Sequence, residues 1–299
     1  ALGGALFHLG RTDEAEEELL KAVEAGKATV ANKDWEPFFY LKEIYMQKGE
    51  EKLMAKYEKM YLTRLKKLKE EDLQTILETA QRAANSINGQ QTSLIVIRDK
   101  EKLAKIAELC GGQKHIAQAE AFIFVLIDFH RGVYASNSLG KRNIAPKSAD
   151  GILVGAVDAG IMVNALQTAA FALGYGSTVI GAIRKETKEF IKMLGLPKYV
   201  FPIIGTTIGV PAERNLTRVK PRVPLDTFVF EDTYNAQKVE EGVEFHEKDT
   251  IKWREENNTP QLPSYKEMLV RIYENFYNKS KQDLEDQGFK SVSYTHLTL

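Results

Sequence analysis

The segment Gly151 to Leu173 is apolar almost throughout, and no other feature restricts the fold of this chain as much. A stretch of that length and character either crosses a membrane or lies in the middle of a core. Asp158, Asn164 and Gln167 interrupt it, and each would be costly in lipid, so a buried helix is expected. Gly151, Gly155 and Ala159 recur every fourth residue. That spacing puts small residues on one helical face, where a neighbour can come close. Core packing within the chain and a helix–helix seam between two copies both suit the pattern.

Directly afterwards comes Gly174-Tyr175-Gly176-Ser177-Thr178-Val179-Ile180-Gly181-Ala182-Ile183-Arg184: a turn, a short β-branched strand, then two small residues before another helix. Small residues at a strand exit let a flat ligand approach the backbone and face bare N–H groups. Gly176-x4-Gly181 has Walker A spacing, but Ala182-Ile183 stands where Lys-Ser/Thr must be. Without that lysine, nucleotide phosphates lose their main cation, which excludes this class of ATPase. The third glycine and the later acid of the dinucleotide fingerprint are missing too, as is a G-x-S-x-G elbow. On its own, the stretch suits a tight strand-to-helix junction as well as a ligand.

The 299 residues provide for one large domain and a smaller one, with 43% hydrophobic residues to fill a core. Lys+Arg and Asp+Glu balance at 41 each, so nothing electrostatic favours nucleic acid. A single cysteine, Cys110, excludes an internal disulfide framework and fits a reducing, cytoplasmic compartment. The histidines form no metal-binding cluster, so no metal site is expected. The chain begins at Ala1 without Met, which makes the absence of a signal peptide uninformative. Residues 291–299 resemble a translated sequencing adaptor and are read as a non-native tail.

Residues 1–66 read as helices. Leu2, Gly3, Leu6, Gly10, Ala15, Leu19 and Ala22 fall where a tetratricopeptide repeat places its small and apolar contacts, and Leu41, Tyr45, Gly49 and Ala55 echo them loosely. Such arrays generally need about three units, so this piece resembles the end of something larger. From Leu68 the character changes. A helix to Ala84, a break at Ser86-Ile87-Asn88-Gly89-Gln90, a strand over Thr92–Arg98 and a helix over Lys100–Leu109 are expected. Ala121–Phe129 reads as a central strand, Arg131–Lys147 as a polar loop, and Phe201–Ile208 as another strand. The chain after Pro221 reads as irregular up to Pro263, and then as one helix from Ser264 to about Gln287.

Two further pieces carry polar chemistry. Lys220-Pro221-Arg222 places two cations at i and i+2, on one side of an extended chain. That is a workable phosphate clamp, combining a point charge with a bidentate fork; a solvated loop gives the same triplet. Gln113 and His115, past the helix end at Cys110-Gly111-Gly112, could contact a polar ring edge or be incidental surface groups. No nucleophile–base pair or acid–base carboxylate pair is apparent, so in an enzyme a cofactor should carry the chemistry.

Taken together, residues 67–290 resemble the FMN-dependent nitroreductase family, nearest its oxygen-insensitive NADPH nitroreductases and NADPH–flavin oxidoreductases. The resemblance rests on Ser86–Gln90, Gly111-Gly-Gln-Lys-His115-Ile-Ala-Gln118, the helix around Asp158, Ile180-Gly181-Ala182-Ile183-Arg184, Lys220-Pro-Arg-Val-Pro224 and the ending Gln287-Gly288-Phe289. It implies an α+β fold, a mixed, mostly antiparallel sheet flanked by helices, assembled as a homodimer with FMN at the subunit interface. Lys220 and Arg222 then match the flavin-phosphate clamp. Ile180, Gly181 and Ala182 match the backbone nearest the ring, while Gln113 and His115 line the site. Ser86 and Gln90 match a loop from the partner subunit, and Arg254 an arginine for the nicotinamide nucleotide's phosphate. The implied activity is two-electron transfer from NADPH or NADH through FMN to small acceptors: nitroaromatics, quinones or free flavin. Neither a membrane nor a metal belongs to that activity.

One departure stands out. The family's Arg-Ser-x-Arg-x-Phe/Tyr opening, which also grips the FMN phosphate, is replaced by Tyr57-Glu58-Lys59-Met60-Tyr61-Leu62-Thr63. The loss removes about two charge-assisted contacts of roughly 1.5–3 kcal/mol each, and suggests a chimeric chain. The competing expectation is a non-enzymatic interaction module, with the repeat-like helices binding a peptide and the second domain a flavin-free relic.

Overall fold

The protein is described by a computed structural model covering residues 2–24, 36–64, 67–211, 219–274 and 280–290. The adaptor-like tail and the 66/67 boundary lie outside these residues. The chain forms two compact units, Ala1–Glu213 with Lys279–Leu299, and Arg214–Asn278.

The larger unit opens with α1 (Leu2–His8), α2 (Thr12–Glu24), α3 (Glu36–Gln47) and α4 (Glu51–Arg64), which pack on one another in sequence. Small residues mark the crossings: a Cβ on Gly3 would lie 2.5 Å from Leu19 Cγ, and one on Gly4 2.7 Å from the Tyr40 ring. α5 (Glu70–Gln81) follows, then β1 (Thr92–Ile97), α6 (Lys100–Leu109), α7 (Lys114–Gln118) and β2 (Ala121–Asp128). α8 (His130–Ser138) and α9 (Ala149–Ala172) lead to β3 (Gly176–Ile180), α10 (Thr187–Leu194) and β4 (Val200–Gly209).

The strand order is β1-β2-β4-β3, and every pairing is antiparallel. β2 lies at the centre with its side chains buried as far as Ile127, as its unbroken apolar run predicts. Its alternation divides the core. Ala121, Ile123 and Val125 meet α5 and α9 on one face, whereas Phe122, Phe124 and Leu126 meet α6, α7 and α10 on the other. The first of these cores also takes in Phe39, Leu41, Ile44 and Tyr61 of the N-terminal helices, with the Phe39 ring 5.6 Å from Phe171 of α9.

α9 is long and apolar enough to cross a membrane by length and composition, but its small-residue face is consumed inside the chain. A Cβ on Gly151 would strike the Ala145 carbonyl at 1.9 Å, and one on Gly155 would meet Ile127 at 2.5 Å. The core-packing alternative therefore holds for that face. A different face carries exposed Leu153, Val157 and Ile161 at i, i+4 and i+8.

Three expectations need correction. Arg131–Lys147 is not simply a loop: Asp128 accepts from His130 N–H at 3.0 Å and starts α8, and a 3₁₀ turn spans Ala145–Lys147. The supposedly irregular stretch contains α11 (Ala236–Glu256), whose dense Lys and Glu content masked good helix formers and whose start is capped by Asn235. The single last helix is instead α12 (Tyr265–Tyr273), opened by a Ser264–Glu267 capping box, and α13 (Ser280–Asp286). In the smaller unit, α11 packs on α12 and on the Leu225–Thr227 turn, where Gly242 leaves room for Thr227.

At mid-sheet, a Cβ on Gly205 would lie 2.4 Å from the ring of Phe122, itself fully buried against Phe124 at 4.7 Å. Gly205→Ala should therefore destabilise the protein by about 1–3 kcal/mol through overpacking. Urea unfolding checks this; an unchanged midpoint would refute such tight packing of the sheet centre.

Candidate functional site

β3 ends at Ile180, which is 2% exposed, and the chain turns at once into a 3₁₀ segment over Gly181–Lys185. Ile180 offers no side-chain cap, so the capping residue does not occupy the turn's first N–H groups. Ile183 anchors the turn in the core, and the Arg184 guanidinium donates to the Ile203 carbonyl at 2.9 Å. That guanidinium lies 3.3 Å from where a Cβ on Gly181 would be.

Beside this turn lies the end of α6. Gly111 and Gly112 both adopt left-handed φ, +84° and +77°, which favours glycine at each. Their N–H groups close the helix onto Glu108 and Ala107 carbonyls. Lys185 Nζ lies 3.3 Å from the Cβ position of Gly111, and Ile106, Cys110, Ile116, Ile180 and Ile183 share the core beneath. Gln113, Ile180, Gly181 and Ala182 are thus brought to one region. His115 is exposed on α7, and Gln113 donates back to the Cys110 carbonyl at 2.9 Å. The open glycines and Lys185 give this region an accessible backbone with positive charge beside it.

Ser86 and Gln90 lie elsewhere. Their loop precedes β1, at the sheet edge opposite β3. Ile95, Phe124, Gly205 and Ile180 occupy one row across the sheet, so the two edges are three strand spacings apart, about 14 Å. Ile87, Asn88 and Gln90 all take φ near +50°. The Ser86 N–H donates to Asp158 on α9 at 3.1 Å, the Gln90 N–H donates to Asn85 Oδ1 at 2.9 Å, and Arg131 donates to the Gln90 carbonyl. A cleft of about 420 Å³ adjoins the loop, lined by Asn85, Gln90, Ser93 and Arg131 with Gln74 and Glu78 of α5. Asn85 and Arg131 give no sequence signal for this role. Asp158 stands out within its apolar helix, but its contact 72 positions away does not.

Lys220, Arg222 and Arg254 belong to the smaller unit. Lys220 and Arg222 are exposed, and the Arg222 guanidinium donates to the Pro221 carbonyl at 3.2 Å. Arg254 sits in the last turn of α11 rather than in an irregular segment, with one buried Nη lacking a hydrogen-bond partner. Among the described residues no group of three or more His, Cys, Asp or Glu side chains is placed to hold a metal.

The model of the Nitroreductase family matches residues 64–210, and that of the Nitroreductase family C-terminal domain matches residues 220–292. The chain belongs to the nitroreductase family. An FMN reductase [NAD(P)H] of Bacillus subtilis (strain 168) is 38% identical over 226 residues, covering 74% of this chain and 90% of that protein. A Cr(VI) reductase of Pseudomonas sp. (strain G-1) is 33% identical, covering 72% and 80%. The structure of B. megaterium NfrA2 superposes with a TM-score of 0.72 at 35% identity, covering 76% of this chain and 92% of that one. The nitroreductase match begins only at residue 64, beyond Tyr57–Thr63, where the family's arginine motif was expected.

Cys110, although next to the glycine turn of this nitroreductase, is not poised to react. It is 1% exposed, and burial pushes its thiol up to about 11 despite the opposing pull of Lys185. At pH 8 its thiolate fraction is then on the order of 10⁻³. Folded protein should resist iodoacetamide and label fully in denaturant. Because the folded thiol titrates above its unfolded counterpart, this group's stabilising effect is present at neutral pH and fades as pH rises toward 11. Rapid labelling of folded protein at pH 8 would contradict the buried placement.

Proposed function

We propose that residues 67–290 form one subunit of a cytoplasmic FMN-dependent oxidoreductase that takes hydride from NADPH or NADH and reduces small acceptors. Nitroaromatics, quinones and free flavin are the acceptor classes; the names of the Bacillus and Pseudomonas relatives support reduction of FMN and of Cr(VI). The observation that carries the reading is the pairing of two open backbone turns, Gly111–Gly112 and Ile180–Lys185, over one core with Lys185 between them.

These residues fit a flavin. The glycines leave the backbone uncovered for a flat ring, the turn after Ile180 has N–H groups free of a side-chain cap, and Lys185 adds positive charge. When bound, FMN supplies a two-electron carrier between NAD(P)H and the acceptor. Ile180, Gly181 and Ala182 present N–H groups toward the ring, with Gln113 and His115 beside it. Lys220 and Arg222, held extended by Pro221, grip the phosphate. Arg254, with its unpartnered Nη, serves the phosphate of the nicotinamide nucleotide.

Ser86 and Gln90 serve the site of a second copy. Their position across the sheet from Ile180 supports a homodimer, because each chain then contributes one edge to each site. Residues 1–66 are a tetratricopeptide-like adjunct to this enzyme.

Titration with FMN, followed by flavin fluorescence, tests the reading directly. Removing both cations in K220A/R222A should weaken binding about 100-fold or more, since each charge-assisted contact is worth roughly 1.5–3 kcal/mol. Thermal stability should hardly change, because both side chains are exposed. An unaltered dissociation constant would remove these residues from the phosphate site. Failure of NADPH to bleach the bound flavin band without oxygen would remove the reductase activity.

A further inference from the structure

The loop at Ser86–Gln90 is strained in a way its own sequence does not explain. Three non-glycine residues, Ile87, Asn88 and Gln90, adopt left-handed φ of +51°, +52° and +53°. For β-branched Ile87, which is 94% exposed, that conformation is an outlier with no burial to compensate it. Strain of this kind persists only where the surroundings over-determine the backbone.

The source of that constraint is traceable. Ser86 opens a 3₁₀ turn whose first N–H needs an acceptor. Asn85, in the capping position, does not supply it, because its Oδ1 closes the loop by accepting from the Gln90 N–H. The acceptor comes from α9 instead: both Asp158 oxygens face the Ser86 N–H, at 3.1 and 3.3 Å. Asp158 is 4% exposed and accepts from no other donor among the described residues. A buried carboxylate with a single donor is a poor device for stability. As an anchor on α9, whose glycine face packs closely on Ala145 and Ile127, it is well suited to hold a loop in one conformation.

We propose that Asp158 is a positioning residue: by capping the turn at Ser86 from α9, it sets the Ser86–Gln90 loop in the conformation that contacts FMN in the neighbouring subunit. The FMN contact rests on the function proposed above; the clamp itself does not.

Asp158→Ala and Asp158→Asn separate these elements, read by hydrogen exchange of the amides in residues 84–91 and by FMN titration of the full chain. Asn keeps an acceptor oxygen, so exchange and FMN affinity should stay within about threefold of wild type, whereas Ala should raise both exchange and dissociation constant about tenfold or more. In the Ala background, Ile87→Gly should recover part of the affinity, since glycine adopts positive φ without strain. Wild-type binding with an unchanged Ala variant overturns the positioning role alone. Accelerated exchange throughout α9 and β2, with no recovery by Ile87→Gly, also overturns it, by showing a general loss of packing. Wild-type protein that takes up no FMN refutes the flavin reading and the positioning role with it, while the exchange measurement still reports whether Asp158 holds the loop.

Discussion

The close approach of α9 to the sheet governs the larger unit. Gly155 admits Ile127 of β2 into the space a Cβ would fill, and Gly151 admits the Ala145 carbonyl. Contact this close fixes the helix in depth and rotation, because a packed interior yields little to added volume. Two features follow from that placement. Midway along α9, Asp158 meets the turn before β1; beyond its end, Gly174 takes a left-handed φ of +85° and sends the chain into β3. Both edges of the sheet, and the segments assigned to FMN at each, are thus located from one helix.

A second set of buried polar contacts ties α5 to this frame. The Tyr175 hydroxyl donates to Asp72 at 2.6 Å and accepts from the Lys69 N–H at 3.2 Å, while Glu120 accepts from the Leu68 N–H at 2.6 Å. Burial, together with the Asp72 hydrogen bond, holds the Tyr175 phenol well above its usual range, so it stays a donor at any physiological pH. The start of α5 is therefore held by groups more than fifty residues away, just before β2 and just before β3. The acids Glu70, Glu71 and Asp72 lie in its first turn, where a negative charge suits the macrodipole. Asp72 is in fact 4% exposed and answers to Tyr175.

What the sequence revealed follows the range of the interactions involved. Helix stops at Cys110-Gly111-Gly112, the two-face burial of β2 and the core role of α9 depend on periodicity and local chemistry, and all were legible. α8 and α11 were not, since Arg131–Ser138 and Ala236–Glu256 are too polar to show an apolar stripe. In the site, single residue types were readable but their arrangement was not. Nothing in the spacing of Gly181 and Ser86 shows that four strands separate them into opposite edges. The Ser86–Asp158 contact spans 72 positions and leaves no local trace.

The altered opening segment carries a consequence for phosphate binding. Tyr57 and Tyr61, both within the segment that replaces that opening, are 5% and 1% exposed in α4. The Tyr57 ring stacks at 5.5 Å on Tyr45, and Tyr61 packs at 5.4 Å against Phe39. These positions have become core, shared with α9 and the sheet. An arginine at Tyr61 would bury a guanidinium among aromatic rings, at a penalty of several kcal/mol without a partner. Those two positions are therefore closed to a cation, whereas Lys59 between them is exposed. On the flavin reading, phosphate affinity that Lys220 and Arg222 fail to supply cannot be regained at Tyr57 or Tyr61 without dismantling the core these rings complete.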